Sequence, residues 1–211
     1  MKKAIMIMSC LLIGGLVTGA IGQKTEVATV EAKAVTAVAH KIAYTYDRHV
    51  ALAFEPTVEN LMADSQAVVQ VRVLSQGATR LAADGFGETA YEVEILQQLK
   101  GTITTEQITV YLTGGELKIA DYLEQAQQVI PESLAKSGLQ ATPIEQQEEY
   151  IAFASESVAQ LTVGDTYVLA INQQLDSSDY LVSALGYGVF EEITAKTYAN
   201  PDTGERITLA Q

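Results

Sequence analysis

Three short segments in this 211-residue chain alternate apolar and polar residues with period two, and that period constrains the fold more than any other feature. Val69, Val71 and Val73 alternate with Gln70 and Arg72. Tyr91, Val93 and Ile95 alternate with Glu92 and Glu94, and Ile108, Val110 and Leu112 with Thr109 and Tyr111. Successive side chains of a strand point to opposite faces, so each segment reads as a strand with one face on a core. Further strands are expected at Thr166–Ile171, Tyr180–Leu185 and Val189–Glu191. Ile193–Leu209 reads as a hairpin around Asn200-Pro201-Asp202-Thr203-Gly204. Gly77–Gly87 reads as a polar, glycine-bearing loop.

Helical spacing interrupts this pattern twice. Pro56–Asp64 places Val58, Leu61 and Met62 on one face. Glu116–Ile130 spaces Leu117, Ala120, Leu123, Glu124 and Gln127 as a helix, and Pro131 stops it. Thr142-Pro143-Ile144-Glu145 has the residues of a short helix start, and Tyr150–Phe153 returns to strand. The expected fold is mainly β: a small barrel or sandwich with a helical insertion near residues 116–149.

The N-terminus sets the expected compartment. Lys2 and Lys3 precede an 18-residue uncharged run, Ala4–Ile21. Its length falls between the roughly 7–15 apolar residues of a signal peptide and the ~20 of a membrane span. Thr18-Gly19-Ala20 and Ala20-Ile21-Gly22 offer small residues for a signal peptidase. Residues 1–22 are therefore expected to be a signal peptide or membrane anchor, placing the rest extracellularly or at the cell surface. Cys10 loosely resembles a lipobox cysteine, but too few apolar residues precede it; it reads as a small apolar residue of the signal. Residues 23–43, rich in Ala, Val, Thr, Lys and Glu, are expected to be a tether, and 44–211 the β-barrel domain.

Residues 1–22 hold two of the 13 Lys and Arg and none of the 26 Asp and Glu, so the remainder carries a formal charge of −15. That balance repels nucleic acid and anionic headgroups, leaving membrane contact to the N-terminal segment alone. Cys10 is the only cysteine, so the exported part has no disulfides and depends on its core.

A series of short motifs recurs in a telling order: Ala63-Asp64-x-x-Ala67-Val68-Val69, Tyr91-Glu92-Val93-Glu94-x-Leu96, Leu99-Lys100-Gly101, Thr113-Gly114-Gly115 and Val163-Gly164-Asp165-Thr166-Tyr167-Val168-Leu169. The set, over about residues 57–190, resembles a family of small exported proteins of Gram-positive bacteria. More remotely it is similar to the netrin-like, or tissue-inhibitor-of-metalloproteinase-like, barrel of OB topology. The resemblance implies an OB-like β-barrel and a non-catalytic binding role. Inhibitors of that remote family chelate zinc through an N-terminal cysteine freed by signal removal. Here the only cysteine is Cys10, inside the signal, so that mechanism does not carry over.

Residue patterns that carry reaction chemistry are few in this chain. Ser133-Leu134-Ala135-Lys136 matches the Ser-x-x-Lys acylating pair, but Ser177-Ser178-Asp179 is not Ser-Asp-Asn and Lys196-Thr197 is followed by Tyr198. His40 and His49 are the only histidines and lack ligand spacing for a metal. Glu92/Glu94, Glu148-Glu149 and Glu191-Glu192 could supply paired acids for a cell-envelope hydrolase, but the first pair faces water by alternation. Asp176–Asp179 and Asp202–Glu205 offer loop oxygens for a weak calcium site without EF-hand spacing.

The expectation is a module with no cofactor and no catalytic residues. It would recognise an extracellular protein, peptide or cell-wall polymer, with the insertion and the Gly77–Gly87 loop as contact surfaces. The candidate binding residues are Tyr111 and Tyr187, as exposed stacking rings, and Gly114 and Gly115, as an anion-cradling turn before a helix. The alternatives are a small hydrolase using paired carboxylates and a secreted protease inhibitor acting through a loop.

Overall fold

A computed structural model describes residues 39–49, 51–175 and 177–210. The expected signal segment and residues 23–38 of the tether lie outside them. The described chain is mainly β, with eleven strands in two sheets among these residues.

The three alternating segments form the centre of the larger sheet. β2 (Ala67–Leu81), β3 (Gly87–Lys100) and β4 (Gln107–Thr113) make an antiparallel meander, and β7 (Thr166–Gln173) pairs with the other side of β2. β8 (Tyr180–Val182) pairs parallel with β4 and antiparallel with β7. Five strands thus form a hydrogen-bonded circuit in the order β7-β2-β3-β4-β8 and back to β7. Inside it lie Val69, Val71, Val73, Val93, Val110, Leu169 and Ile171. Each such side chain contributes about 1.5–3 kcal/mol relative to exposure. The sheet continues through β9 (Val189–Thr194), β10 (Thr197–Ala199) and β11 (Arg206–Thr208), and Asn200–Gly204 makes the expected hairpin turn between the last two.

β7 is buried on both faces. Leu169 and Ile171 point into the circuit, while Val168 and Ala170 join Leu61, Phe190 and Tyr198 in a second core. α1 (Val58–Asp64) covers that core with Leu61, flanked by the partly buried Val58 and Met62, as its spacing predicts. Thr57 caps its N-terminus, accepting from the Asn60 amide at 3.2 Å. Its C-terminus is capped from outside: the Lys100 ammonium donates to the Met62, Ala63 and Ser65 carbonyls at 2.6, 2.9 and 2.6 Å. Gly101 follows at φ +76, where an added Cβ would lie 2.5 Å from the Gln66 carbonyl oxygen.

The smaller sheet has the order β1-β6-β5: β1 (Ile42–Arg48), β6 (Tyr150–Ser155) and β5 (Gly115–Lys118). α2 (Ile119–Val129) and α3 (Pro131–Ser137) pack on it through a third core that includes Tyr122, Leu134, Ile151 and Phe153. Pro131 both terminates α2 and opens α3 at its first turn, where its missing N–H costs nothing.

Four expectations need correction. Most of Gly77–Gly87 is strand: β2 runs to Leu81 and β3 starts at Gly87, because the pairs Thr79–Thr89, Arg80–Glu88 and Leu81–Gly87 carry the ladder toward a tip where Leu81 and Phe86 are buried. Glu116–Lys118 is strand, not helix, and the buried stripe of α2 is Ile119, Tyr122 and Ala126. Ser183–Gly186 leaves the strand for a turn in which Ala184 and Leu185 have φ of 50° and 58°. The fold also takes in the end of the expected tether, since β1 begins at Ile42 and pairs in parallel with β6 more than a hundred residues away.

Candidate functional site

The two sheets share one crossing point, and Gly114-Gly115 makes it. β4 ends at Thr113, and the two glycines, at φ +109 and +122, redirect the chain into β5. Both angles lie where a β-carbon is disfavoured. A Cβ on Gly115 would fall 2.1 Å from Thr89 Oγ1 and 2.6 Å from Thr79 Oγ1. Those hydroxyls lie 2.9 Å apart across the β2–β3 ribbon. Thr89 Oγ1 donates to the Gly114 carbonyl at 2.8 Å, and the Gly114 amide donates to the Gly87 carbonyl at 2.7 Å.

Beyond this crossing the sheets diverge and leave a cleft of about 800 Å³ between them. One wall is the β2 stretch Gln76–Thr79; the other carries Gly115, Ala152 and Ala154. The alternation of β6 explains the second wall, since Ile151 and Phe153 are in the helical core while the small alanines face the opening. The floor carries Thr89, Tyr91 and Leu112. Burial, and secondarily Tyr167, raises the Tyr91 phenol above its ordinary range.

The first wall is an open strand edge. Pairing of β2 with β7 stops at Arg72–Thr166, followed by two bonds at Val73: its amide to Asp165 and its carbonyl from Gly164. From Leu74 to Arg80 that edge has no backbone partner among the described residues. Such an edge presents a row of donors and acceptors at strand spacing.

Charged groups occupy one end of the cleft. His40 Nδ1 lies 2.7 Å from Glu116 Oε2, and the His40 ring stacks on Tyr150 at 3.8 Å. Lys118 pairs with Glu148 at 2.6 Å, and that hydrogen bond holds its ammonium above the usual lysine range. Asp121 also lines this end. Glu88, the one buried carboxylate among the described residues, is not among the lining residues. No group of three His, Cys, Asp or Glu side chains is placed to hold a metal ion among the described residues.

The four residues singled out by sequence separate into two pairs. Gly114 and Gly115 line the cleft, but they lead into a strand, so the anion-cradling helix start is absent there. Tyr111 is 8% exposed, not an open ring. The Arg80 guanidinium sits 3.7 Å from its centroid. Arg80 Nε donates to Glu88 Oε1 at 2.8 Å and a terminal nitrogen donates to Gln174 Oε1 at 2.9 Å. Tyr111 thus belongs to a clamp that ties the β2–β3 ribbon to the segment after β7. Burial raises its phenol, with Arg80 opposing. Tyr187 is half-buried on the core that contains Phe190 and Tyr198, away from the cleft lining. Its phenol is raised by burial, then by Asp202 and Glu156.

Ser133 and Lys136 lie exposed on α3 around the buried Leu134. Asp176, half of one suggested calcium loop, lies outside the described residues. In the other loop Asp202 accepts from the Ser157 hydroxyl and the Val158 amide, both at 2.7 Å. Thr79, Thr89, Arg80 and Glu88 belong to no sequence motif. Their signal is cross-strand register: Thr79 faces Thr89 and Arg80 faces Glu88 across one hairpin.

No protein-family model matches this chain, and no curated protein matches it. Among the described residues no helix is long and apolar enough to cross a membrane.

Proposed function

We propose that the chain is an exported, non-catalytic recognition module that binds an extended peptide segment of an extracellular partner in the cleft between its two sheets. The observation that carries this reading is the unpaired edge of β2 from Leu74 to Arg80, whose Gln76–Thr79 stretch forms one wall of an opening of about 800 Å³. A peptide laid there gains main-chain hydrogen bonds as an added strand, and side-chain specificity comes from the opposite wall. The small residues Gly115, Ala152 and Ala154 leave room for a backbone. The formal charge of −15 beyond residue 22 favours a neutral or cationic segment over nucleic acid. Export rests on Lys2, Lys3 and the uncharged run that follows.

In this reading the five-strand circuit is an OB-type barrel. The parallel β4–β8 pair, the antiparallel β7–β2 pair and the helices between β4 and β7 support that assignment. The β2–β3 and β7–β8 connections are then the loops at its binding rim, which the Arg80–Glu88–Gln174 clamp joins.

The test is calorimetric titration of the full chain with peptides selected from a random display library, alongside soluble wall-glycan fragments. Peptide binding should weaken at least about tenfold, equal to 1.4 kcal/mol, in Ala154→Arg, which fills the cleft. Backbone N-methylation at alternate peptide positions should have a similar effect. Binding that ignores both changes, or that is confined to glycan fragments, refutes the proposal.

A further inference from the structure

The edge strand β1 is held by charge and backbone pairing, with little burial. Five of its seven residues are exposed, and Ala43 is the one apolar residue of the strand packed against the helical core. Its ends carry four cationic or titratable groups, and each meets an acid from a different part of the body. His40 lies 2.7 Å from Glu116 on β5, and Lys41 pairs with Glu149 just before β6. Arg48 is 2.7 Å from Asp84 at the β2–β3 tip, and His49 is 2.9 Å from Glu156 just after β6. Tyr46 adds stacking on Phe153 and Tyr122, at 5.7 and 6.3 Å. Exposed ion pairs contribute little each, so β1 belongs to the part of the fold that opens most easily.

The slot that holds β1 does not depend on it. β6 is secured on its other side by β5, and Ile151 and Phe153 anchor it in the helical core. When β1 leaves, the slot keeps its four acids, an unpaired strand edge and an aromatic shelf, and such an edge is a template for another strand. Residues 40–49 match it in charge, register and aromatic spacing. Nine residues connect Arg48 to Val58, and fully extended they span about 30 Å, enough for β1 to reach a neighbouring molecule.

We propose that β1 is an exchangeable strand through which two copies of this chain pair, the segment 40–49 of each seated on β6 of the other. The arrangement is a reciprocal swap: every contact of the closed monomer is remade between copies, and the connection is the only part that changes. It exposes the edge of β6, not that of β2, although His40, Ala152 and Ala154 also line the peptide cleft.

The test uses two full-length variants that are mismatched alone and complementary together. One reverses the strand, Lys41→Glu with Arg48→Glu; the other reverses the slot, Asp84→Lys with Glu149→Lys. In the mixture the acidic strand meets the basic slot and the native strand meets the native slot. Light scattering should give a monomer mass for each variant alone and a doubled mass for the equimolar mixture. A monomer mass for the mixture at every concentration overturns the proposal.

A second measurement does not depend on altered charge. In a Cys10→Ser background, Thr45→Cys in one copy and Ala152→Cys in another occupy facing positions of the β1–β6 register. Co-refolding and oxidation should yield a mixed disulfide between the copies. Its absence, while a single chain carrying both cysteines closes on itself, would equally overturn exchange.

Discussion

Gly115→Ala is the substitution for which the structure fixes the expected cost most closely. The residue sits at φ +122, where an alanine is strained by about 1–3 kcal/mol. The new methyl would also lie 2.1 Å from Thr89 Oγ1 and 2.6 Å from Thr79 Oγ1, so both hydroxyls must move. Their movement breaks the Thr79–Thr89 and Thr89–Gly114 hydrogen bonds, each contributing about 1 kcal/mol. Together these give a destabilisation of about 3–5 kcal/mol. For a domain of this size that corresponds to a melting temperature lower by about 6–20 °C. Urea unfolding followed by far-UV circular dichroism measures it directly. Adding Thr89→Ala removes the shorter clash but not the backbone strain. The double variant should therefore be more stable than the sum of the two single changes predicts, by about 1–2 kcal/mol. A loss below 1 kcal/mol in Gly115→Ala, or strict additivity with Thr89→Ala, refutes the account of the crossing.

Lys100→Met keeps the aliphatic stem but removes the ammonium that caps the Met62, Ala63 and Ser65 carbonyls. It should cost about 1–2 kcal/mol in chemical unfolding, with faster amide exchange in Val58–Asp64. Tyr122 is pushed up to about 12, chiefly by burial and then by Tyr46. Because the folded value exceeds the unfolded value near 10, its contribution to stability is intact below pH 10 and is lost as pH rises through about 12. Alkaline unfolding curves should therefore shift to higher pH in Tyr122→Phe, and a phenolate absorbance titration should lose a late step.

The parts of the fold legible in the sequence are those set by local chemistry. Thr57 caps α1, Asn200–Gly204 closes a hairpin, and the valines of β2 face the core as their period demands. The misread parts depend on distant partners. Nothing near Ile42–Arg48 announces a parallel strand, because its partner begins at Tyr150. Leu117 satisfies both a helical and a strand period, and pairing with Ile151 decides for strand. Tyr111 alternates outward as expected, yet Arg80 covers its ring from the next-but-one strand. Gly114 and Gly115 read locally as a turn, but their role in joining two sheets needs the register of Thr79 with Thr89.

Hydrogen–deuterium exchange across Ser75–Arg80, with and without a bound peptide, tests the recognition claim most directly. In the free chain the amides pointing to the open edge of β2 should exchange fast, and peptide binding should slow them in an every-other-residue pattern while the circuit-facing amides stay unchanged. A bound peptide that leaves this stretch untouched, or protects only a surface elsewhere, would contradict strand addition in the cleft.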